Sequence, residues 1–160
     1  MQINRLRTAL ALGREQHDAW PKIAATKNLP KVCSGTRPVI DIGIITAPSN
    51  VARRRRVRSA RDVLLRHGDR CAVVLTFLLG DSSMFTPVER RLVEAERVKH
   101  DDLLLLRAHD GRAASAEAHG GRAVAEKALA WFIHSANRTT ADFVAKVDDD
   151  SMVNLPRLVT

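Results

Sequence analysis

From residue 39 onward the chain alternates two kinds of apolar pattern. Residues 39–46, 71–79, 103–106 and 143–147 are short runs dominated by Val, Ile and Leu, which read as strands. The run over 71–79 is continuous and closed by Gly80-Asp81, the pattern of a strand buried on both faces. Between the runs the apolar residues fall at helical spacing. Val57, Ala60 and Leu64 form one such face after the turn Pro48-Ser49-Asn50. Val88, Leu92 and Ala95 form a second, opened by Thr86-Pro87-Val88-Glu89, which predicts a threonine N-cap, a proline in the first turn and a glutamate closing a capping box. Val124, Ala128, Trp131, Phe132 and Ser135 stripe a third, and residues 107–121, rich in Ala, Gly, His and Arg, read as a loop before it. Strands alternating with helices predict an α/β fold: a mostly parallel, Rossmann-like sheet with helices on both faces, its strands ending at Thr46, Leu79, Leu106 and Val147.

Ahead of that unit, residues 4–18 predict a helix with Ile3, Leu6 and Leu10 on one side, and Pro21, Pro30 and Pro38 punctuate a polar connector. The chain therefore divides at 38, with 1–38 as helix and connector and 39–160 as the α/β unit. Its 160 residues suit one domain or a piece of one. With four Phe, two Trp and no Tyr, the core must be built from aliphatic side chains. No apolar stretch approaches the roughly 20 residues of a membrane span, and the N-terminal apolar run is too short and interrupted for a signal peptide. The two cysteines, Cys33 and Cys71, are too few for a disulfide framework, and Cys71 at the start of a strand reads as a buried thiol.

Charge changes the picture at one place. Of the net +8, six arginines (Arg53, Arg54, Arg55, Arg56, Arg58 and Arg61) fall within nine positions. Such a cluster is either a polyanion site or a solvated helix face. Arg54 and Arg58, four apart, share a face and are placed to address a phosphate, whereas Arg53, Arg55 and Arg56 read as solvent-facing. No aromatic residues interleave with the cluster and no nucleic-acid motif accompanies it, so no specific nucleic-acid partner is expected.

The candidate chemistry lies at the end of the last strand, where Asp148, Asp149 and Asp150 stand side by side. Adjacent carboxylates repel one another unless a cation sits among them. The motif is a solvated acidic turn or a site for a hard divalent ion, and Mg²⁺ or Mn²⁺ uses one or two carboxylates together with phosphate oxygens. The carboxyl end of a strand is also where open α/β sheets bind ligands. His100, His109, His119 and His134 show no metal-ligand spacing, Glu94 and Glu96 read as helix-surface charges, and Trp131 and Phe132 read as core.

Five ordered blocks between 39 and 158 resemble the β-1,3-glycosyltransferases of glycosyltransferase family 31. The strand into Asp148-Asp149-Asp150, followed by Val153-Asn154-Leu155, is similar to the family's D-x-D and [FV]-x-N-[LV] elements. IGIITAPSNVARRRRVRSA, at 42–60, resembles its opening strand and R-x-x-[IV]-R, with Arg54, Val57 and Arg58 on the matching positions. VVLTFLLG, at 73–80, resembles its second strand. Glu94, Glu96, His100 and Asp102-Leu103-Leu104 resemble E-x3-[YF]-x-D-[IV]-[IL], with His100 where an aromatic is usual. Lys127 and Trp131 match K-[TA]-x-x-W. The spacing is most similar to the trypanosomatid branch. Ser59-Ala60-Arg61 and Ala128 depart from the pattern, and the chain covers about the first half of the family's catalytic domain.

The resemblance implies a GT-A-like domain, incomplete at its C-terminus, of a Golgi hexosyltransferase. Such an enzyme moves galactose or N-acetylglucosamine from a UDP-sugar, with inversion, onto a glycan or glycoprotein acceptor, using Mn²⁺ (or Mg²⁺). It implies Asp150 as principal metal ligand with Asp148 beside it, and Asp148 and Asp149 toward the ribose and metal-bound waters. It also implies Thr46 near the uracil, and Arg54, Arg58 and Lys127 as nucleotide-sugar contacts. The family's membrane anchor is absent from this sequence, and its catalytic base is expected beyond Thr160. Two other readings remain beside it: a polyanion-binding module built on the arginines, and a glycosyltransferase fragment without activity. A dehalogenase-type hydrolase also carries D-x-D after a strand, but Met152 occupies the place where that motif wants Thr or Val.

Overall fold

A computed structural model describes residues 40–65, 72–110, 116–138 and 141–158, with the side chains of 116–121 and 138 left out. The expected N-terminal helix over 4–18, the connector after it, Cys33 and Cys71 lie outside the described residues, as does the side chain of His119. Four strands, β1 (Ile40–Ile45), β2 (Val73–Leu79), β3 (Leu103–Leu105) and β4 (Phe143–Asp148), form one sheet in the order β3-β2-β1-β4. Every pairing is parallel: Ile40 to Ile45 run against Val73 to Leu78 on one side and against Phe143 to Asp148 on the other. The expected parallel sheet is what the chain forms. Connections between the strands are the helices α1 (Val51–Leu64), α2 (Pro87–Lys99) and α3 (Ala116–Arg138), and a short α4 (Leu155–Leu158) follows β4.

Strand alternation sorts the apolar residues onto two faces. Ile40, Ile42, Ile44, Val73, Leu75 and Phe77 pack with Val57 and Leu65 at α1 and with Leu155 of α4. Further along the same face, Leu79 packs with Phe85 and with Val93 of α2. On the opposite face Ile45, Leu78 and Leu104 meet Ala130 and Trp131 of α3. The result is three layers with the sheet in the middle.

The helices differ from their predicted faces. The inner side of α1 is Arg54 and Arg58, with Ala60 and Leu64 outward. On α2 the buried residues are Val93 and Glu96, while Val88, Leu92 and Ala95 are exposed. Glu96 is thus not a surface charge. On α3, Ala123, Lys127, Ala130, Trp131 and Ser135 are buried, but Val124 and Phe132 are exposed, so Phe132 is not core. That helix also begins at Ala116, inside the segment expected to be a loop. The reason is common to all three. Periodicity of apolar residues locates the inner face only when the buried positions are apolar, and here all three helices turn charged residues inward: Arg54 and Arg58, Glu96, and Lys127. The start of α2 follows expectation. Thr86 Oγ1 accepts from the Glu89 amide and the Glu89 side chain accepts from the Thr86 amide, closing the capping box behind Pro87.

Trp131 fixes how close α3 comes to the sheet. Its indole N–H donates to Ala145 O at 2.9 Å, and its ring lies over Gly43 of β1. A Cβ at position 43 would lie 2.6 Å from Trp131 Cε2 and 2.7 Å from Leu78 Cδ1, both in buried side chains with nowhere to move. Gly43→Ala is therefore expected to lower stability by about 1–3 kcal/mol through overpacking. Urea unfolding measures it, and an unchanged midpoint would show that α3 is not seated on Gly43.

Candidate functional site

The sheet order places a topological switch at β1. The chain leaves β1 toward β2 and β3 on one side, and returns to pair β4 on the other. In open α/β sheets ligands bind in the crevice beyond the carboxyl ends of the two strands flanking such a switch. Here those ends are Thr46 after β1 and Asp148-Asp149-Asp150 at the end of β4. The ladder closes at Ile45 opposite Asp148, and the Asp149 amide adds one more bond to Ile45 O at 3.1 Å. The Ser151 amide then bonds Asp148 O, turning the chain so that the three carboxylates diverge.

Asp149 turns inward. Its side chain is 6% exposed, and Oδ2 accepts from Thr46 Oγ1 at 2.6 Å and from Asn50 Nδ2 at 2.8 Å. Oδ1 accepts from Arg53 Nη1 at 2.8 Å. Asn50 is the N-cap residue of α1, yet its side chain caps nothing within the helix, and the first turn of α1 holds no acidic residue. Asp149 supplies that negative charge from β4, where the helix dipole favours it. Burial pushes the Asp149 carboxyl up, but the hydrogen bonds from Thr46, Arg53 and Asn50 outweigh it and hold the group below the usual aspartate range.

Asp148 and Asp150 turn outward from this knot. Asp150 is 68% exposed, with Arg53 Nη1 3.8 Å from Oδ2. Asp148 Oδ1 is buried and has no hydrogen bond, although Lys146 Nζ approaches it at 2.9 Å as an ion pair. Lys146 is paired in register with Gly43, on the α3 face of the sheet. On the α1 face the three aspartates border a groove of about 510 Å³ with an apolar floor of Ile42, Ile44, Val57 and Val147. Another hollow of about 440 Å³, beside Ser82, Arg90 and Arg97, borders no carboxylate cluster.

The remaining predicted contacts lie elsewhere. Arg54, fully buried, uses all five of its N–H groups: on Glu96, on Thr46 Oγ1, and on the carbonyls of Ala47 and Pro48. Arg58 bonds Glu96 at 2.6 Å and grips Asp102 with two bonds of 2.6 Å, its guanidinium 4.8 Å from the centre of the Phe77 ring. Burial pushes the Glu96 carboxyl up, but its bonds from Arg54 and Arg58 prevail and hold it low. Lys127 is buried on the other side of β1, donating to Thr46 O at 2.9 Å and pairing with Asp110, whose other oxygen receives the Gly80 amide. The structure thus brings Thr46, Asp148, Asp149 and Asp150 to one corner. It sets Arg54, Arg58 and Lys127 behind that corner, bonded to protein atoms. Arg53, read from sequence as solvent-facing, reaches the carboxylates. No sequence pattern singles it out from its neighbours, because its target lies 96 positions away.

Among the described residues no three His, Cys, Asp or Glu are grouped to hold a metal by themselves. The donor set fits an ion completed by a ligand: two hard carboxylates beside a groove, Asp150 exposed and Asp148 with its second oxygen left over from the ion pair to Lys146. Among the described residues no helix is long and apolar enough to cross a membrane.

No family model matches the chain. The curated protein named Probable beta-1,3-galactosyltransferase 4, of Arabidopsis thaliana, is 26% identical to it over 163 residues. That match takes in 98% of this chain and 38% of the relative, so the chain spans well under half the length of the protein it resembles. The likeness supports a glycosyltransferase-like relationship.

Because all three partners of Asp149 are donors, Asp149→Asn turns an acceptor into an amide facing them, and should cost roughly 1–3 kcal/mol at neutral pH. A group whose native pKa is depressed contributes stability above its unfolded value, lost as pH falls through the native one. Wild type should therefore weaken below about pH 4, the ordinary aspartate range, and Asp149→Asn should weaken less steeply there. Urea unfolding at pH 7 and pH 3 checks this. Equal acid sensitivity of the two proteins would contradict the inward placement of Asp149.

Proposed function

We propose that the α/β unit binds a UDP-sugar, with galactose or N-acetylglucosamine as the sugar, for an inverting hexosyltransferase of the Golgi lumen or membrane. The acceptor in this reading is a glycan or glycoprotein. What carries the reading is the division of labour among three adjacent aspartates at the topological switch: Asp149 is bonded into the scaffold, Asp148 borders the groove while pairing with Lys146, and Asp150 stands exposed beside it. The galactosyltransferase likeness supports it. So does the burial of Arg54 and Arg58, which removes two cations from the surface that a polyanion-binding module needs.

In this reading Asp150 and Asp148 hold Mn²⁺ (or Mg²⁺), which, when bound, offsets the charge developing on the departing diphosphate. Asp149 sets the angle of the turn bearing both. Thr46 holds Asp149 and, through Arg54, the β1–α1 corner. The apolar floor beside the turn excludes water from one side of the bound nucleotide, strengthening each polar contact made there. Inverting transfer also requires a base to take the acceptor's hydroxyl proton, and the reading gives that task to no residue of this chain.

Calorimetric titration of UDP, with and without Mn²⁺, tests the proposal. Wild type is expected to bind UDP in a Mn²⁺-dependent manner, and Asp150→Asn to lose tenfold or more of that affinity while keeping its thermal midpoint, since the residue is exposed. Equal UDP binding with and without metal would refute the metal assignment.

A further inference from the structure

A diphosphate held at Asp148 and Asp150 brings more negative charge to two carboxylates than one divalent ion offsets, so a protein cation beside it is favourable. Arg54 has no donor left, Lys127 is buried against Thr46 and Asp110, and Arg58 is turned to Glu96, Asp102 and Phe77. Lys146 is committed to Asp148 and is not part of the groove lining. Arg53 differs from all of these. It borders the groove, as the exposed Arg56 also does, but of the two it is Arg53 that reaches the carboxylates: its side chain is 47% exposed, and Nη1 alone is engaged among the described residues, at 2.8 Å from Asp149 and 3.8 Å from Asp150.

We propose that Arg53 is a ligand-binding residue, meeting the phosphate oxygens of a nucleoside diphosphate held at the carboxylates, with Asp149 as its positioning residue. This rests on the nucleotide reading of the groove and adds the protein cation to it. The geometry has the form of a guided fork. Asp149 is itself pinned by Thr46 and Asn50, so the Nη1 contact fixes one corner of the guanidinium. The Nε and Nη2 edges remain for a bidentate grip on an anion, which a planar guanidinium makes and an ammonium does not. Arg53 lies in the first turn of α1, where the helix dipole also favours negative charge. Without ligand the same cation offsets the repulsion among the crowded carboxylates.

The test uses the full chain, with UDP as probe in Mn²⁺ and Mn²⁺ alone as a second titrant. Arg53→Gln should weaken UDP binding about tenfold or more, as loss of a charge-assisted pair does, and Arg53→Lys should recover only part. Binding of Mn²⁺ alone should not weaken, since a competing cation has been taken from the carboxylates. Arg55→Gln, the same charge change on an exposed neighbour, should shift UDP affinity less than twofold. The thermal midpoint of Arg53→Gln should fall only slightly, because Thr46 and Asn50 still bond the Asp149 carboxylate. UDP affinity unchanged in Arg53→Gln, or a tenfold loss in Arg55→Gln, overturns the proposal and leaves the nucleotide reading standing. A matching loss of Mn²⁺ affinity in Arg53→Gln overturns it too, by placing the effect on the carboxylates. If wild type binds no UDP in Mn²⁺, the nucleotide reading falls and this inference with it.

Discussion

The architecture depends on a guanidinium sealed inside it. Arg54 has no contact with water, and its five N–H groups hold together the end of β1, the loop into α1 and the inner face of α2. A lone charge in that position would cost several kcal/mol, which only a partner and a full set of hydrogen bonds offset. Glu96 is that partner, and because it also accepts from Arg58, which grips Asp102, the two helices on this face are joined by alternating charges. Truncating one member would leave the others buried and unmatched, so the lattice behaves as a unit. Its value lies in placement, since hydrogen bonds donated by the guanidinium fix the loop carbonyls of Ala47 and Pro48 where aliphatic packing would let them slide.

Thr46 joins this lattice to the carboxylate turn. Its hydroxyl accepts from Arg54 at 3.3 Å and donates to Asp149 at 2.6 Å, while its carbonyl receives Lys127. One residue at the end of the central strand therefore has a bond to each of three surrounding assemblies. With a single proton on Oγ1, the direction of its hydrogen bonds is dictated: the arginine can only give and the ionised carboxylate can only take. The corner has one hydrogen-bond pattern available to it, and pre-organisation of this kind spares a ligand the cost of arranging the site.

The sheet was legible in the sequence because its strands are short runs dominated by apolar residues, and the capping box at Thr86 was legible because it is local. The inner faces of α1 and α2 were not. Arg54, Arg58 and Glu96 sit at positions that any hydrophobic periodicity assigns to solvent, and what brings them inside is mutual neutralisation between residues 42 positions apart. At the site, Asp148 to Asp150 declared themselves by crowding, yet which of the three points inward depends on Thr46, Asn50 and Arg53, contacts no local pattern reports. The spacing of Arg54 and Arg58 correctly implied a shared face and a shared anionic target, but that target is Glu96 with Asp102.

The seating of Asp149 against Thr46 spans 103 positions of chain. As a ribosome extends the polypeptide, β1, β2 and β3 are all available before β4 exists, and Arg54 can find Glu96 while the carboxylates are still unmade. Loop closure grows costlier with separation, which favours the β1–β2 and β2–β3 pairings ahead of β1–β4. Within the described residues the buried charges of Arg54 and Glu96 can thus be matched before the acidic corner forms. A chain that has that corner in place is one in which the two strands of the topological switch have already met.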